Sequence, residues 1–195
     1  MKNSAPATTK IVRTIDELQQ AYAIRAAVFI GEQSCPYDEE YDGNDLCASH
    51  FIAQVDGHIV GTLRVRFFAD FAKLERLAVL PACRGYGIAA QLVTDALSHI
   101  QQKGYVSFQL HAQTRFVQFW SKWARVSRKD DVFVFSDHAY AVMRGSLSTA
   151  TSCLSQKSDP MVLNRPEGDW ARPGVLEASQ LRRPRCDHHQ SEGTP

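Results

Sequence analysis

Apolar and polar positions change period several times along these 195 residues, and each change marks an element. Lys10 to Arg13 reads as a short first strand. Thr14 to Glu17 then fits a capping box, with Glu17 reaching back. Ile15, Leu18, Tyr22, Ala26 and Phe29 recur at helical spacing, which predicts a helix running towards Pro36. Two apolar-rich runs, His50 to Val55 and His58 to Phe67, flank Asp56-Gly57 and predict a hairpin. Gly61 inside its second strand suggests a bulge. Leu74 to Leu80, closed by Pro81, reads as a buried strand that extends the hairpin into a meander. Ala89, Leu92, Val93, Ala96, Leu97 and Ile100 define the next helix, with Gly104 placed to stop it. Tyr105 to Ala112 is a further strand. Phe116, Phe119, Trp120 and Trp123 sit as one helical face within 113 to 123. Val132 to Phe135 and Ala139 to Met143 close the pattern as a strand pair around Ser136-Asp137-His138.

Outside that core the periodicity lapses. Residues 1–9 are expected to be flexible and 146–160, rich in Ser and Thr, to be a linker. Residues 161–181 carry Met161, Val162, Leu163, Trp170, Val175 and Leu176, enough apolar surface for an arm that docks, with a short helix from Val175. Residues 182–195 read as a disordered tail.

Composition narrows the class. Hydrophobic residues make up 44%, ordinary for a globular chain with one main core. Lys plus Arg is 22 against Asp plus Glu 21, which gives no electrostatic case for nucleic acid or an anionic membrane. No apolar run approaches the ~20 residues of a membrane span. MKNSAPATTK lacks the apolar core of a signal peptide, and the five cysteines include no CxxC pair. Reduced thiols in a cytoplasmic protein are expected. The acidic run 38–45 fails as a calcium loop, because Ser49 falls where the bidentate Glu belongs. It reads instead as a solvated loop, or as carboxylates that attract a cationic amine. Cys186-Asp187-His188-His189 is too crowded for a closed zinc site, and no metal is expected.

The stretch Arg84-Gly85-Tyr86-Gly87-Ile88-Ala89 lies between a strand and a helix. Free backbone N–H groups and the helix dipole make such a junction an anion site. It is not a P-loop, because no Lys-Ser/Thr follows Gly87, and it lacks the third glycine of a dinucleotide fingerprint. Arg84-x-x-Gly87-x-Ala89 resembles the acyl-CoA pyrophosphate motif of the GNAT N-acetyltransferase superfamily. Leu74 to Val93 fits the family over a longer run, and Arg25-x-x-Val28-Phe29-x-x-Glu32-Gln33 resembles the first helix of one subgroup. The element order matches the GNAT fold over about residues 10–145. The resemblance implies an α/β (α+β) protein: a mixed, mostly antiparallel twisted sheet flanked by helices, here with a C-terminal extension.

The resemblance also implies the chemistry. Acetyl-CoA is the expected cosubstrate and the amine of a small molecule the expected acceptor, less readily a peptide, with a homodimer conceivable. Residues 84–89 would hold the pyrophosphate. Leu77, Ala78 and Val79 would line the pantetheine arm, with a backbone N–H near Val79 facing the acyl oxygen. Trp120 falls where the family often has a Tyr that protonates the leaving thiolate. An indole cannot supply that proton. Solvent, Tyr140 or His111 are the alternatives. Phe29, Glu32 and Gln33 would line the acceptor pocket. Glu75 shares a strand face with Leu77 and Val79, so desolvation is expected to raise its pKa and make it the general base. The competing reading pairs it with Arg64, Arg66 or Arg76. Two other functions stay open: an acyl-homoserine-lactone-synthase-like acyltransferase, and a non-catalytic acyl-CoA-binding or regulatory module.

Overall fold

The computed structural model describes residues 6–127 and 132–180. The chain divides into two compact units between Ser155 and Gln156. Neither the tail 182–195 nor its Cys186–His189 cluster falls within the described residues.

The first unit is built on one eight-stranded sheet in the order β1-β2-β3-β4-β5-β8-β6, with β7 also paired to β8. Strand β1 is Thr8–Ile11, two residues earlier than its apolar pattern suggested, so the expected flexible 1–9 already includes paired residues. The hairpin β2 (Ser49–Val55) and β3 (His58–Phe67) turns at Asp56-Gly57, both at positive φ. Its register slips at Val60, beside Gly61 as expected. A Cβ on Gly61 would meet Ala78 O, Leu92 and Val79 at 3.2 Å, so this strand needs the glycine for close packing. Strand β4 (Ala72–Val79) completes the meander. Helix α3 (Ile88–Gln102) follows, and Gly104 ends it at φ 89°.

Strand β5 (Ser107–Gln113) pairs with β4 in parallel, but only from Ala72↔Phe108 to Leu74↔Leu110. Beyond Leu74 the two strands separate. Strands β6 (Arg125–Val126), β7 (Val132–Phe135) and β8 (His138–Ser146) form the far side of the sheet, and β8 pairs with β5 throughout.

Each sheet face has its own core. Helix α3 packs Leu92, Val93, Ala96 and Ile100 onto Phe51, Leu63, Leu74, Phe108 and Leu110. Helix α1 (Ile15–Arg25) covers the other face with Ala21 and Ile24, joined by Val28 and packed on Ile52, Ile59 and Ala78. Thr14 caps it as the capping box predicts, accepting from Glu17 N at 3.2 Å. The expected apolar face of this helix is corrected: Ile15 is 76% exposed, and the buried positions include Arg25. The expected aromatic helix over 113–123 shrinks to a 3₁₀ turn, Thr114–Phe116, and one helical turn, α4 (Val117–Trp120).

Residues 147–154 of the expected linker are tied to the sheet unit. Leu147 N–H bonds Val106 O at 2.8 Å, and Leu154 N–H bonds Gln102 O at 2.8 Å. The second unit has its own order. Helix α5 (Pro160–Leu163) is capped by Asp159, helix α6 (Val175–Gln180) begins where the short helix was expected, and Arg165 pairs with Glu177 at 2.6 Å.

Candidate active site

The strand separation beyond Leu74 opens a cavity of about 920 Å³, within the range of ligand sites. Its walls come from β4, β5, the end of the first helix, the segment after Thr114 and the β7–β8 hairpin.

Strand β4 reaches the cavity through a bulge. Arg64 pairs with Glu75 and Thr62 with Ala78, so Leu63 opposes both Arg76 and Leu77. Arg76 takes the extra position at φ 53°, a left-handed conformation uncommon for a side-chain-bearing residue. Leu80 N–H bonds Val60 O at 2.9 Å. Antiparallel ladders alternate, so Val79 directs its backbone towards the unpaired side where β5 has left. Its carbonyl there accepts from Arg84 Nε at 2.9 Å. Leu77, Ala78 and Val79 line the cavity together with Arg84, Ala89 and Trp120.

The turn beside it fits an anionic group. Gly85 and Gly87 have φ of 85° and 82°, and a Cβ built at either would meet nothing within 4 Å. Gly87 is the N-cap of α3, and no side chain caps that helix end. Its first N–H groups are therefore open to an anion. Tyr86 is exposed, while Ile88 is buried in the α3 core and offers only its main chain.

The first helix ends in π-helical turns, Ala26–Glu32. Wider turns re-aim side chains and recur at functional sites. Val28 stays in the core while Phe29, Glu32 and Gln33 line the cavity. Glu32 is committed to Arg84, with contacts at 2.8 and 2.5 Å. Gln33 accepts from Gln113 Nε2 at 2.9 Å.

The expectation for Glu75 is corrected. Burial pushes its carboxyl up, but hydrogen bonds from Arg66 and Lys73 and the Arg64 charge outweigh it and bring the pKa down to about 2. Arg66 Nε and Lys73 Nζ each lie 2.8 Å away, and Arg64 Nε lies 3.1 Å away. So firmly ionised a carboxylate is a poor base.

The solvated loop expected at 38–45 is corrected in part: it starts on one helical turn, α2 (Tyr37–Glu40), and Asp38, Glu39, Asp42 and Gly43 are exposed while two of its carboxylates are not. Glu40 and Asp45 are 1% and 9% exposed. Arg25, fully buried, reaches Glu40 Oε1 at 2.5 Å and Asp45 Oδ1 at 2.6 Å. Arg64 donates to Asp45 and Asp42 at 2.9 and 2.7 Å, and Arg76 Nε lies 3.0 Å from Glu40 Oε2. Buried charges must be paired, and here a helix, two strands and a loop share one ionic network.

Tyr140 lines the cavity from β8, and its hydroxyl accepts from Gln113 Nε2 at 3.1 Å. Burial raises its pKa, so the phenol keeps its proton. His111 also lines the cavity. Burial, then the Lys73 charge, lowers its pKa to about 4, so it is neutral at neutral pH. Trp120 is 8% exposed, with its ring 5.2 Å from Phe119, and serves the core as much as the cavity. Among the described residues no group of three or more His, Cys, Asp or Glu is arranged to hold a metal ion, and no helix is long and apolar enough to cross a membrane.

The profile of the acetyltransferase (GNAT) family matches residues 15–122. A Bacillus subtilis (strain 168) protein named for acetyltransferase activity, BSU40680, is 36% identical over 117 residues, covering 58% of this chain and 79% of its own. The chain belongs to the GNAT family. Two solved structures share the fold of this GNAT protein. An acyl-CoA N-acyltransferase from Pseudomonas aeruginosa is 27% identical with a TM-score of 0.64, covering 72% of this chain and 98% of its own. A GNAT acetyltransferase from Elizabethkingia anophelis with acetyl-CoA bound is 12% identical with a TM-score of 0.55, over 73% and 99%.

Proposed function

We propose that this protein transfers the acetyl group of acetyl-CoA to the amine of a small molecule. The observation that carries the reading is the meeting of an open β4 edge with an uncapped helix start at Gly87. Bound acetyl-CoA supplies an already activated thioester. The N–H groups at the start of α3 receive the pyrophosphate, and Gly85 and Gly87 leave the space it needs. The β4 main chain from Leu77 to Val79 aligns the pantetheine arm, and the Val79 N–H faces the acyl oxygen. As the amine nitrogen attacks the thioester carbonyl it gives up a proton to water, the C–S bond breaks, and Tyr140, protonated, donates to the departing sulfur in place of the Tyr that Trp120 replaces and regains its proton from solvent. Glu75 acts as a positioning residue that fixes Arg64, Arg66 and Lys73. Much of the rate then comes from alignment. The acetyl-CoA-bound Elizabethkingia anophelis protein and the Pseudomonas aeruginosa N-acyltransferase support the same reading.

One observation favours a second reading. Trp120 is buried at the position of the usual proton donor, as an acyl-CoA-binding module without chemistry would allow. Incubation with acetyl-CoA and a panel of amines separates the two. Amine-dependent thiol release, with an acetylated product by mass and a loss of about 10²-fold or more in Tyr140→Phe, supports transfer. Tight acetyl-CoA binding with no thiol release from any amine supports the binding module.

A further inference from the structure

Two groups of cavity residues stand apart from the turn and strand edge assigned to acetyl-CoA, with only the Tyr140 hydroxyl given a part in the transfer itself. The first is a row of rings on the β7–β8 hairpin. Phe133 and Phe135 share one face of β7, and Tyr140 is the cross-strand partner of Phe133. The Phe135 and Tyr140 centroids lie 4.1 Å apart with planes 16° from parallel, and Phe133 lies 5.8 Å from Tyr140 at the same angle. All line the cavity, while Val132 and Val134 on the other face of β7 are exposed. None of the three rings belongs to either core cluster. They are half-buried aromatic surface that the packing of the fold does not require.

The second is a charge left over. Of the carboxylates lining the cavity, Glu32 pairs with Arg84, Asp42 with Arg64 and Arg76, and Glu75 with Arg64, Arg66 and Lys73. The Glu39 carboxylate, exposed at the cavity edge, accepts a hydrogen bond from the Ser136 hydroxyl and forms no ion pair among the described residues; Arg76 bonds the Glu39 main-chain carbonyl but pairs its charge with Glu40 and Asp42. Ser136 lies in the turn of the same hairpin, next to Phe135, so this carboxylate stands at the end of the row of rings.

We infer that the acceptor is an arylalkylamine: its ring lies against Phe133, Phe135 and Tyr140, and its ammonium group is collected by Glu39. The inference rests on the acetyl-transfer reading and deepens it. Aromatic surface in a cavity favours a ring over an equally long alkyl chain, through ring–ring geometry as well as area. A carboxylate that no cation pairs with directly favours a cation. Each paired carboxylate of the cavity already has its charge answered.

The test uses the full chain saturated with CoA and titrates 2-phenylethylamine against hexylamine by calorimetry, alongside thiol release from acetyl-CoA with both. 2-Phenylethylamine is expected to bind about tenfold more tightly than hexylamine. Glu39→Gln is expected to weaken it by about tenfold, with CoA binding unchanged. Phe135→Leu is expected to remove the preference for the aryl amine. Equal affinity for the two amines, binding of neither, or a Glu39→Gln protein that binds like the parent overturns the inference. Selective aryl-amine binding without thiol release upholds the inference and counts against acetyl transfer, so the two failures are distinct.

Discussion

Glu75 carries more structural weight than catalytic promise. Burial alone would raise its pKa, yet the cations around it bring the value to about 2, against an ordinary 4.5. A folded value below the unfolded one means stability that is fully present above pH 4.5 and is lost as pH falls through about 2. Glu75→Gln takes from Arg66 and Lys73 the carboxylate they pair with, and leaves Arg64 with Asp42 and Asp45 alone. The expected cost near neutral pH is about 3 kcal/mol by chemical denaturation, the scale for breaking a buried ion pair. The gap between parent and variant should hold above pH 4.5 and narrow towards pH 2. An equally stable Gln variant, or a gap independent of acid, would contradict the pairing. Part of this was legible in the sequence. Glu75 stands beside Arg64 and Arg66 once the hairpin and meander are drawn, and that neighbourhood points to ion pairing. The loop 38–45 was not legible, because eight mostly polar residues carry no sign that Arg25, far away in a helix, will bury beneath them.

At the scale of elements, legibility followed how completely a segment obeys one period. Helix α3 buries one continuous apolar stripe, and the bounds that stripe predicts lie close to Ile88–Gln102. Helix α1 buries Arg25 among Ala21, Ile24 and Val28, so counting apolar residues selected the wrong face. The aromatic spacing after Gln113 fits a helix, yet α4 is a single turn and Phe116 is 45% exposed. Strand β6 has only two residues and leaves no period to find. The glycine in β8 had no visible purpose in the sequence. In the fold, Gly145 pairs with Phe108 across β5–β8, and a Cβ there would run into the Phe108 ring and lie 2.7 Å from Trp123 O. Gly145→Ala is expected to destabilise by about 1–3 kcal/mol through overpacking, read as a lower denaturation midpoint at constant slope. A midpoint equal to the parent's would mean that β5, β8 and the Trp123 turn are packed less tightly than this.

At the scale of the whole molecule, the order of strands and helices agrees with the fold that the resemblance at Arg84 to Ala89 implies, and consecutive strands are neighbours through β1 to β4. The cavity was only half legible. The side proposed for acyl-CoA is one continuous stretch, Leu77 to Ala89, and short motifs of that kind survive in a sequence. The side proposed for the acceptor gathers Phe29, Glu39, Phe135 and Tyr140 from three separate segments that only the tertiary fold brings together. The central claim concerns the continuous side: the turn at Gly85 and Gly87 and the open start of α3 hold the pyrophosphate of acetyl-CoA. The most direct measurement is a calorimetric titration of acetyl-CoA into the parent and into Gly87→Val, with each protein's thermal unfolding followed alongside. A valine at φ 82° strains the backbone and puts a side chain into the open space beside the turn. The parent is expected to bind and to gain melting temperature with ligand. The variant is expected to stay folded and lose both effects. Equal acetyl-CoA affinity in a folded Gly87→Val protein would contradict the assignment of this turn.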